Sequence, residues 1–333
     1  MSIQRIQRRR VNRAVLTGLG LAAAPASTAF AQLGWPNGKP IRIYCGFAPG
    51  GTTDPYARML GDYMSQKIGV PVIVENRTGA GGFIALEALT RAAPDGHTIG
   101  ITTSTSVWGS RALYRKLPFD AEKDFTPITL LPVGPLLMAV PTNSPAKTMK
   151  DWVEMAKTRD TTMASYNPAS VPHLAAADLN ARYGTKIEVV HYKGEGPMWI
   201  DVVSGVVQGG IGSYVALAPH LAKGTVRVLA SVGGEKSPKL PQVTSFVSQG
   251  FDGQIFKLDG CLAMLAPAGT PPEIVRRMGD LFVEAADSAK GLALRDAFAI
   301  DAKPTTTAVA QQRWRDESPI WIKLTESTGI KLD

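Results

Sequence analysis

The chain has 333 residues, 44% of them apolar, and a formal net charge of +8, so it is long enough to bury a large core and to divide into two lobes. Its positive charge is local: Arg5, Arg8, Arg9, Arg10 and Arg13 precede an apolar run from Ala14 to Ala24 and an Ala29-Phe30-Ala31 cleavage pattern, the layout of a bacterial export signal. Removing residues 1–31 takes away those five arginines and no acid, which lowers the charge from +8 to +3 and excludes a nucleic-acid partner, since no basic cluster follows.

The apolar run is about half the roughly 20 residues that a membrane anchor needs. The general secretory route is expected, and the paired arginines leave the twin-arginine route open. Cys45 and Cys261 both lie in apolar, strand-like runs. They are expected as buried thiols, with a disulfide as the alternative in an oxidising compartment.

In chain order the pattern reads strand Ile41–Phe47, helix Asp54–Ile68 closed by Gly69, strand Val70–Val74, helix Phe83–Ala92 and strand Thr98–Thr102. Ala57, Leu60, Met64 and Ile68 recur at helical spacing. The alternation starts again at the strand in "PLLMAVP", with helix Met149–Lys157 behind Thr148, strand Met163–Tyr166, helix Pro172–Tyr183, strand Ile187–Tyr192, helix Pro197–Ser204 and strand Val226–Ser231. A strand over Val207–Ile211 is weakened by its glycines. After a Gly/Pro/Ser-rich passage come a strand and helix in "CLAMLAPAGTPPEIVRRM", then helices near Gly291–Phe298 and Thr307–Thr328. Strand–helix alternation predicts two doubly wound α/β lobes with parallel sheets and a ligand cleft between them. The expected division is 32–131 with 255–333 as lobe 1 and 132–254 as lobe 2, with crossings near Leu130–Leu136 and near residue 255.

Two strand-to-helix turns look alike and differ in physics. In "LAPAGTPPEIVRRM", Thr270 and Glu273 predict a capping box, and Pro271 and Pro272 remove two N–H groups. That helix end is expected to be occupied. In "FAPGGTTDPYARML", Gly50 and Gly51 permit close backbone approach and Thr52 and Thr53 add hydroxyls at the positive end of a helix. This end can accept a carboxylate unless Asp54 caps it first. The second strand leads to "NRTGAGGF" and the third to "TTSTS", so three glycine- or hydroxyl-rich mouths converge on one crevice. The second lobe echoes them with "SYNPASVPHL" and "YKGEGPMW". His173 there is read equally as a ligand contact and as a capping or core histidine.

"WPNGKPIRIYCGFAPGGTTD", "VPVIVENRTGAGG", "AAPDGHTI", "LYRKLPFDAEKDFTPITLL", "HLAAADL", "HYKGEGP", "KSPKLPQV" and "APAGTPPEIV" occur in the order found in the substrate-binding proteins of tripartite tricarboxylate transporters, the Bug receptors. The chain resembles that family over essentially its whole exported length. The resemblance implies a fold of the type II periplasmic binding protein kind, a periplasmic location, no cofactor or metal, and a small carboxylate gripped by backbone amides and hydroxyls. Carried over by motif, the ligand-binding positions are Gly51, Thr52, Thr53, Gly82, Phe83, Ser104, Thr105, Ser165 and His173. The implied partners are the membrane subunits of a tripartite transporter or, alternatively, a sensor protein, and the receptor is expected to be a monomer.

The chain departs from the family pattern at "GVVQGGIGS", where Gly212 replaces an acidic residue and predicts a wider, less polar wall. Tyr56, Trp108, Tyr166, Tyr192 and Trp199 flank the expected loops, which suggests a flat, apolar ligand such as a phthalate isomer. Ordinary lobe packing explains those rings equally well, and an aliphatic diacid, triacid or amino acid is the alternative ligand. An enzyme is not expected: there is no G-x-S-x-G elbow, no Walker A lysine and no H-E-x-x-H, and His97, His173, His191 and His220 are scattered.

Overall fold

In the computed structural model, residues 34–233 and 239–332 are described. The expected export signal lies outside them. The first strands and helices are β1 (Ile41–Cys45), α1 (Thr53–Ile68), β2 (Val72–Asn76), α2 (Phe83–Thr90), β3 (Thr98–Thr103), α3 (Ser104–Trp108), α4 (Ser110–Leu113) and β4 (Phe125–Pro132). A second series follows: β5 (Leu136–Pro141), α5 (Met149–Thr158), β6 (Thr161–Ser165), α6 (Val171–Tyr183), β7 (Ile187–His191), α7 (Glu195–Ser204), β8 (Gly209–Ser213), α8 (Tyr214–Ala222) and β9 (Val226–Ser231). The chain then returns through β10 (Cys261–Pro267), α9 (Pro272–Ala285), α10 (Ala289–Phe298) and α11 (Thr307–Glu326).

Two five-stranded sheets result, ordered β2-β1-β3-β10-β4 and β7-β6-β8-β5-β9. Within each, three strands run parallel, with Ile41 opposite Val72 and Arg42 opposite Thr98 in the first, and Thr161 opposite Ile187 and Met163 opposite Gly209 in the second. The expectation of purely parallel sheets is corrected: β10 is antiparallel to β3 and β4, and β5 is antiparallel to β8 and β9. Both reversed strands arrive from the opposite lobe. β5 follows β4 through Val133–Pro135, and β10 follows the long return after β9. A strand entering from across the cleft starts at the end where its neighbours finish.

Local chemistry accounts for most boundaries. Leu60 and Met64 of α1 are fully buried, and Gly69 closes the helix in the left-handed conformation, its N–H donating to Ser65 O. Thr148 caps α5 by accepting from Asp151 N at 3.1 Å, while Asp151 Oδ2 accepts from Thr148 N at 2.9 Å. The capping box expected at Thr270 and Glu273 does not form. Pro271 is the N-cap of α9 and Thr270 stands one residue too early, donating its hydroxyl to Pro267 O at 2.7 Å.

α3, α4, β4 and α8 escaped the periodicity, and β8 is displaced from its expected place. β4 contains Pro127 and is tolerated because it is the edge strand beyond β10. α8 contains Pro219. β8 sits two residues later than expected and is buried throughout; a Cβ on Gly209 would lie 2.8 Å from Met138 Cε and 3.2 Å from Ala139 O, so the glycines admit close neighbours rather than weaken a strand. α11 covers the first sheet, with Trp108 packed against Trp314 and Trp321 at ring-centroid separations of 5.3 and 6.4 Å. The return toward β10 is held by Phe246 stacked on Phe256 at 4.3 Å. Cys45 and Cys261 are both buried free thiols.

Candidate functional site

β1 ends at Cys45, and the loop after it turns through Gly50, whose φ of 100° is one that side-chain-bearing residues rarely adopt. Thr52 then stands as N-cap of the 16-residue α1 without placing its side chain over the helix end. Asp54, the competing cap, is turned aside. Its Oδ2 accepts from Arg58 Nε at 2.9 Å, and its Oδ1 accepts from Arg58 Nη2 at 2.9 Å and Asn76 Nδ2 at 2.8 Å. Asn76 also donates to Phe47 O at 3.0 Å, which ties the loop to the end of β2.

The consequence is a helix N-terminus with its donors unspent. Among the described residues no hydrogen bond engages the amides of Gly51, Thr52, Thr53 or Asp54, and a helix cannot supply partners for its own first turn. Thr52 is 6% exposed, and its Oγ1 is buried without a partner. An orphaned hydroxyl at that depth costs about 1–3 kcal/mol until something satisfies it. Thr52 and its neighbours Gly51 and Thr53 face a narrow cavity between the sheets, with about 40 Å³ of water-accessible space. Thr103 and Thr105 extend its polar side; Phe47, Val133, Leu136, Tyr166 and Leu262 form its apolar wall.

The opposite lobe meets this mouth with an acid. Ser213 N lies 3.2 Å from each carboxylate oxygen of Glu195, and the Ser213 hydroxyl donates to Oε2. Ser213 is also the N-cap of α8, accepting from Ala216 N at 3.4 Å. Glu195 is therefore held at the N-cap residue of α8. Burial pushes its carboxyl up from 4.5 to about 7, against the opposing pull of the Ser213 donors. Burial and the Glu195 charge raise the Tyr166 phenol, and burial pushes the Cys261 thiol up to about 11.

The two mouths touch. Ala48 N donates to Lys193 O at 3.3 Å, and a Cβ on Gly196 would lie 2.8 Å from Pro49 O. A Cβ on Gly50 would lie 3.1 Å from Gly196 Cα. On the other flank Asn167 Nδ2 donates to Ser106 Oγ at 2.6 Å.

Of the residues expected from sequence, the cavity brings together Gly51, Thr52, Thr53, Thr105 and Tyr166. The others stand outside its lining, each for a local reason. Gly82 N donates to Gly79 O, and its Cα packs where a Cβ would meet the Phe47 ring at 3.4 Å. Phe83 packs edge-on against Tyr114 and Phe119. Ser104 Oγ accepts from Cys261 N at 3.3 Å. The Ser165 hydroxyl donates to Asn167 O at 2.7 Å and lies 2.7 Å from Ser170 Oγ. His173 Nδ1 accepts from Ala169 N at 3.1 Å, and burial, helped by nearby His191, lowers its pKa from 6.5 to about 4. Tyr56 donates to Pro132 O at 2.9 Å, Tyr192 donates to Asp201 Oδ2 at 2.6 Å, and Trp108 and Trp199 are buried in packing.

Sequence reading missed Glu195 and the apolar wall from Val133, Leu136 and Leu262. The available signal was the carboxylate inside "YKGEGPMW", a glycine-flanked helix start that faces the first lobe. The wider, less polar wall expected from Gly212 is also corrected. A Cβ at Gly212 would meet Trp199 Cζ2 at 3.0 Å and Met198 Cε at 3.1 Å, so the glycine accommodates packing, and Glu195 makes the wall acidic. Among the described residues no helix is long and apolar enough to cross a membrane, and no group of three or more His, Cys, Asp or Glu side chains is placed to hold a metal ion.

Comparison with known proteins identifies the family. The family described as tripartite tricarboxylate transporter family receptor matches residues 56–317. Protein BugT of Bordetella pertussis is 30% identical over 300 residues, covering 88% of this chain and 90% of BugT. Among solved structures, R. palustris Rpa4515 with adipate aligns with a TM-score of 0.82 at 28% identity, over 90% of this chain and 100% of that one. MatC (Rpa3494) from Rhodopseudomonas palustris with bound malate aligns with a TM-score of 0.77 at 27% identity, over 86% and 98% of the respective chains.

Proposed function

The chain belongs to the tripartite tricarboxylate transporter receptor family of periplasmic solute-binding proteins, and we propose that it captures a small carboxylate at the N-terminus of α1 for delivery to the membrane subunits of such a transporter. The observation that carries this reading is the combination of unengaged amides from Gly51 to Asp54 with the buried, partnerless Thr52 hydroxyl, all beside an interlobe cavity. A carboxylate supplies about four acceptor sites for them. Each hydrogen bond to a charged group contributes about 1.5–3 kcal/mol, and the helix end adds up to about 2 kcal/mol when partly buried. After the entropic cost of binding, such a grip supports roughly micromolar affinity.

The adipate and malate held by the two relatives fit the same class of ligand. For this chain, Phe47, Val133, Leu136, Tyr166 and Leu262 favour an apolar ligand body. Benzene carboxylates belong in the screen because Tyr166 and Phe47 present rings; Tyr56, Trp108, Tyr192 and Trp199, which lie outside the lining, lend that version no support. The lobes then close over the ligand as a hinge about the two crossings.

A thermal-shift screen over carboxylic acids tests the reading. A true ligand at about 100 times its Kd stabilises the protein by roughly 2.7 kcal/mol; a flat response across mono-, di- and tricarboxylates and amino acids overturns it. Gene deletion followed by uptake and transcription measurements separates delivery to a transporter from presentation to a sensor.

A further inference from the structure

Among the described residues that line the cavity, Glu195 is the one charged side chain, and no lysine, arginine or histidine faces it. The other titratable groups in the wall, Tyr166 and Cys261, are buried and held neutral. Its position is specific. The Glu195 carboxyl carbon lies 3.8 Å, and its Cβ 3.4 Å, from where a Cβ on Gly51 would stand, so the acid sits directly beside the α1 amides without bonding to them.

Ser213 offers that carboxylate one N–H and one O–H, and a carboxylate has about four acceptor sites. Capacity for a further donor remains. Charge points the same way. A ligand carboxylate on the α1 amides approaches Glu195 closely, and two carboxylates at short range repel unless a cation or a proton lies between them. A second acid group on the ligand adds to that repulsion, because the Ser213 amide and hydroxyl across the cleft already hold Glu195.

We propose that Glu195 sets the specificity of this receptor: it occupies the place of a second ligand acid group, so the bound molecule is a monocarboxylate carrying a protonated amine on the adjacent carbon, an α-amino acid with an apolar side chain. This rests on the reading that the α1 end holds the ligand carboxylate. The carboxylate takes the amides of lobe 1, the ammonium bridges to Glu195, and the side chain lies along Val133, Leu136, Tyr166 and Leu262.

The test is calorimetry of the purified protein against two matched trios that change one substituent. The first is leucine, 4-methylpentanoate and isobutylmalonate; the second is phenylalanine, 3-phenylpropanoate and benzylmalonate. In each trio the amino acid is expected to bind at least tenfold more tightly than the other two. Glu195→Gln, isosteric and checked for folding by its melting curve, is expected to lose at least tenfold for the amino acid and to gain for the diacid. Thr52→Val is expected to weaken all members alike. A malonate that binds the unaltered protein most tightly, or a ranking that Glu195→Gln leaves unchanged, overturns the inference while the carboxylate reading stands. No heat from any of the six, with the protein folded, overturns the inference, and a flat response across the wider carboxylate screen overturns the carboxylate reading as well.

Discussion

The two lobes carry the same strand order and treat their helix ends in opposite ways. In lobe 1, α1 has no side-chain cap and the Thr52 hydroxyl has no partner; in lobe 2, α8 is capped by Ser213, which also holds Glu195, Ser165 is bonded to Asn167, and His173 accepts from Ala169. A shared fold therefore does not make two equivalent half-sites. On the proposed reading, the lobe 1 helix end grips the ligand carboxylate and Glu195 of lobe 2 decides what else the ligand can carry.

If lobe 2 is built for stability, its largest response is to acid. His173 is 5% exposed and its folded pKa is lowered from 6.5 to about 4. Its contribution is complete above pH 6.5 and is lost as the pH falls toward 4, a change of about 3 kcal/mol. The stability difference between the unaltered protein and His173→Gln, from melting curves across that window, should show it. Glu195 has the opposite sign: with its pKa raised from 4.5 to about 7, its contribution is present below 4.5 and lost as the pH rises to 7. The two slopes oppose each other between pH 4.5 and 6.5, so each is read from its own variant: a stability difference between the unaltered protein and His173→Gln, or Glu195→Gln, that does not change with pH contradicts that assignment.

Contact between the mouths is tested at Gly196. A side chain there meets Pro49 O at 2.8 Å, so Gly196→Val should hold the lobes apart and raise Kd by about 100-fold, or about 2.7 kcal/mol, with the melting temperature nearly unchanged. Unaltered affinity would separate closure from binding. At the gripping lobe, Thr52→Val should cost about 2 kcal/mol of affinity, roughly 30-fold in Kd, while leaving the ligand-free protein as stable or more so, because the orphan hydroxyl is gone. The smallest effect belongs to Ser165→Ala: loss of about 1 kcal/mol of stability with Kd within twofold by calorimetry. A large affinity loss at Ser165 would restore symmetry between the lobes and end the contrast.

Much of this was legible along the chain. The strand–helix alternation, Gly69 as the stop of α1, Thr148 as the start of α5 and the open turn at Gly50-Gly51-Thr52-Thr53 depend on residues within a turn or two of one another. The aromatic residues illustrate where such reading ended. Trp108 follows β3 as a cavity residue would, yet α11, some 200 residues later in the chain, brings Trp314 and Trp321 onto it. Asp54 has the composition of a helix cap, and only Arg58 and Asn76 turn it away. Thr270 and Glu273 have the spacing of a capping box, and two prolines shift the helix start by one residue.

By itself the sequence determined the α/β grammar, the two-lobed division and the presence of a helix end able to receive an anion, because propensity, capping and backbone freedom act between near neighbours in the chain. Tertiary structure alone decided that β5 and β10 run against their neighbours, that four of the five flanking rings pack away from the cavity, and that Glu195 stands beside Gly51. The reason is physical: which loop tips meet across a cleft depends on how two sheets are set against each other, and that is fixed by contacts between residues more than a hundred positions apart.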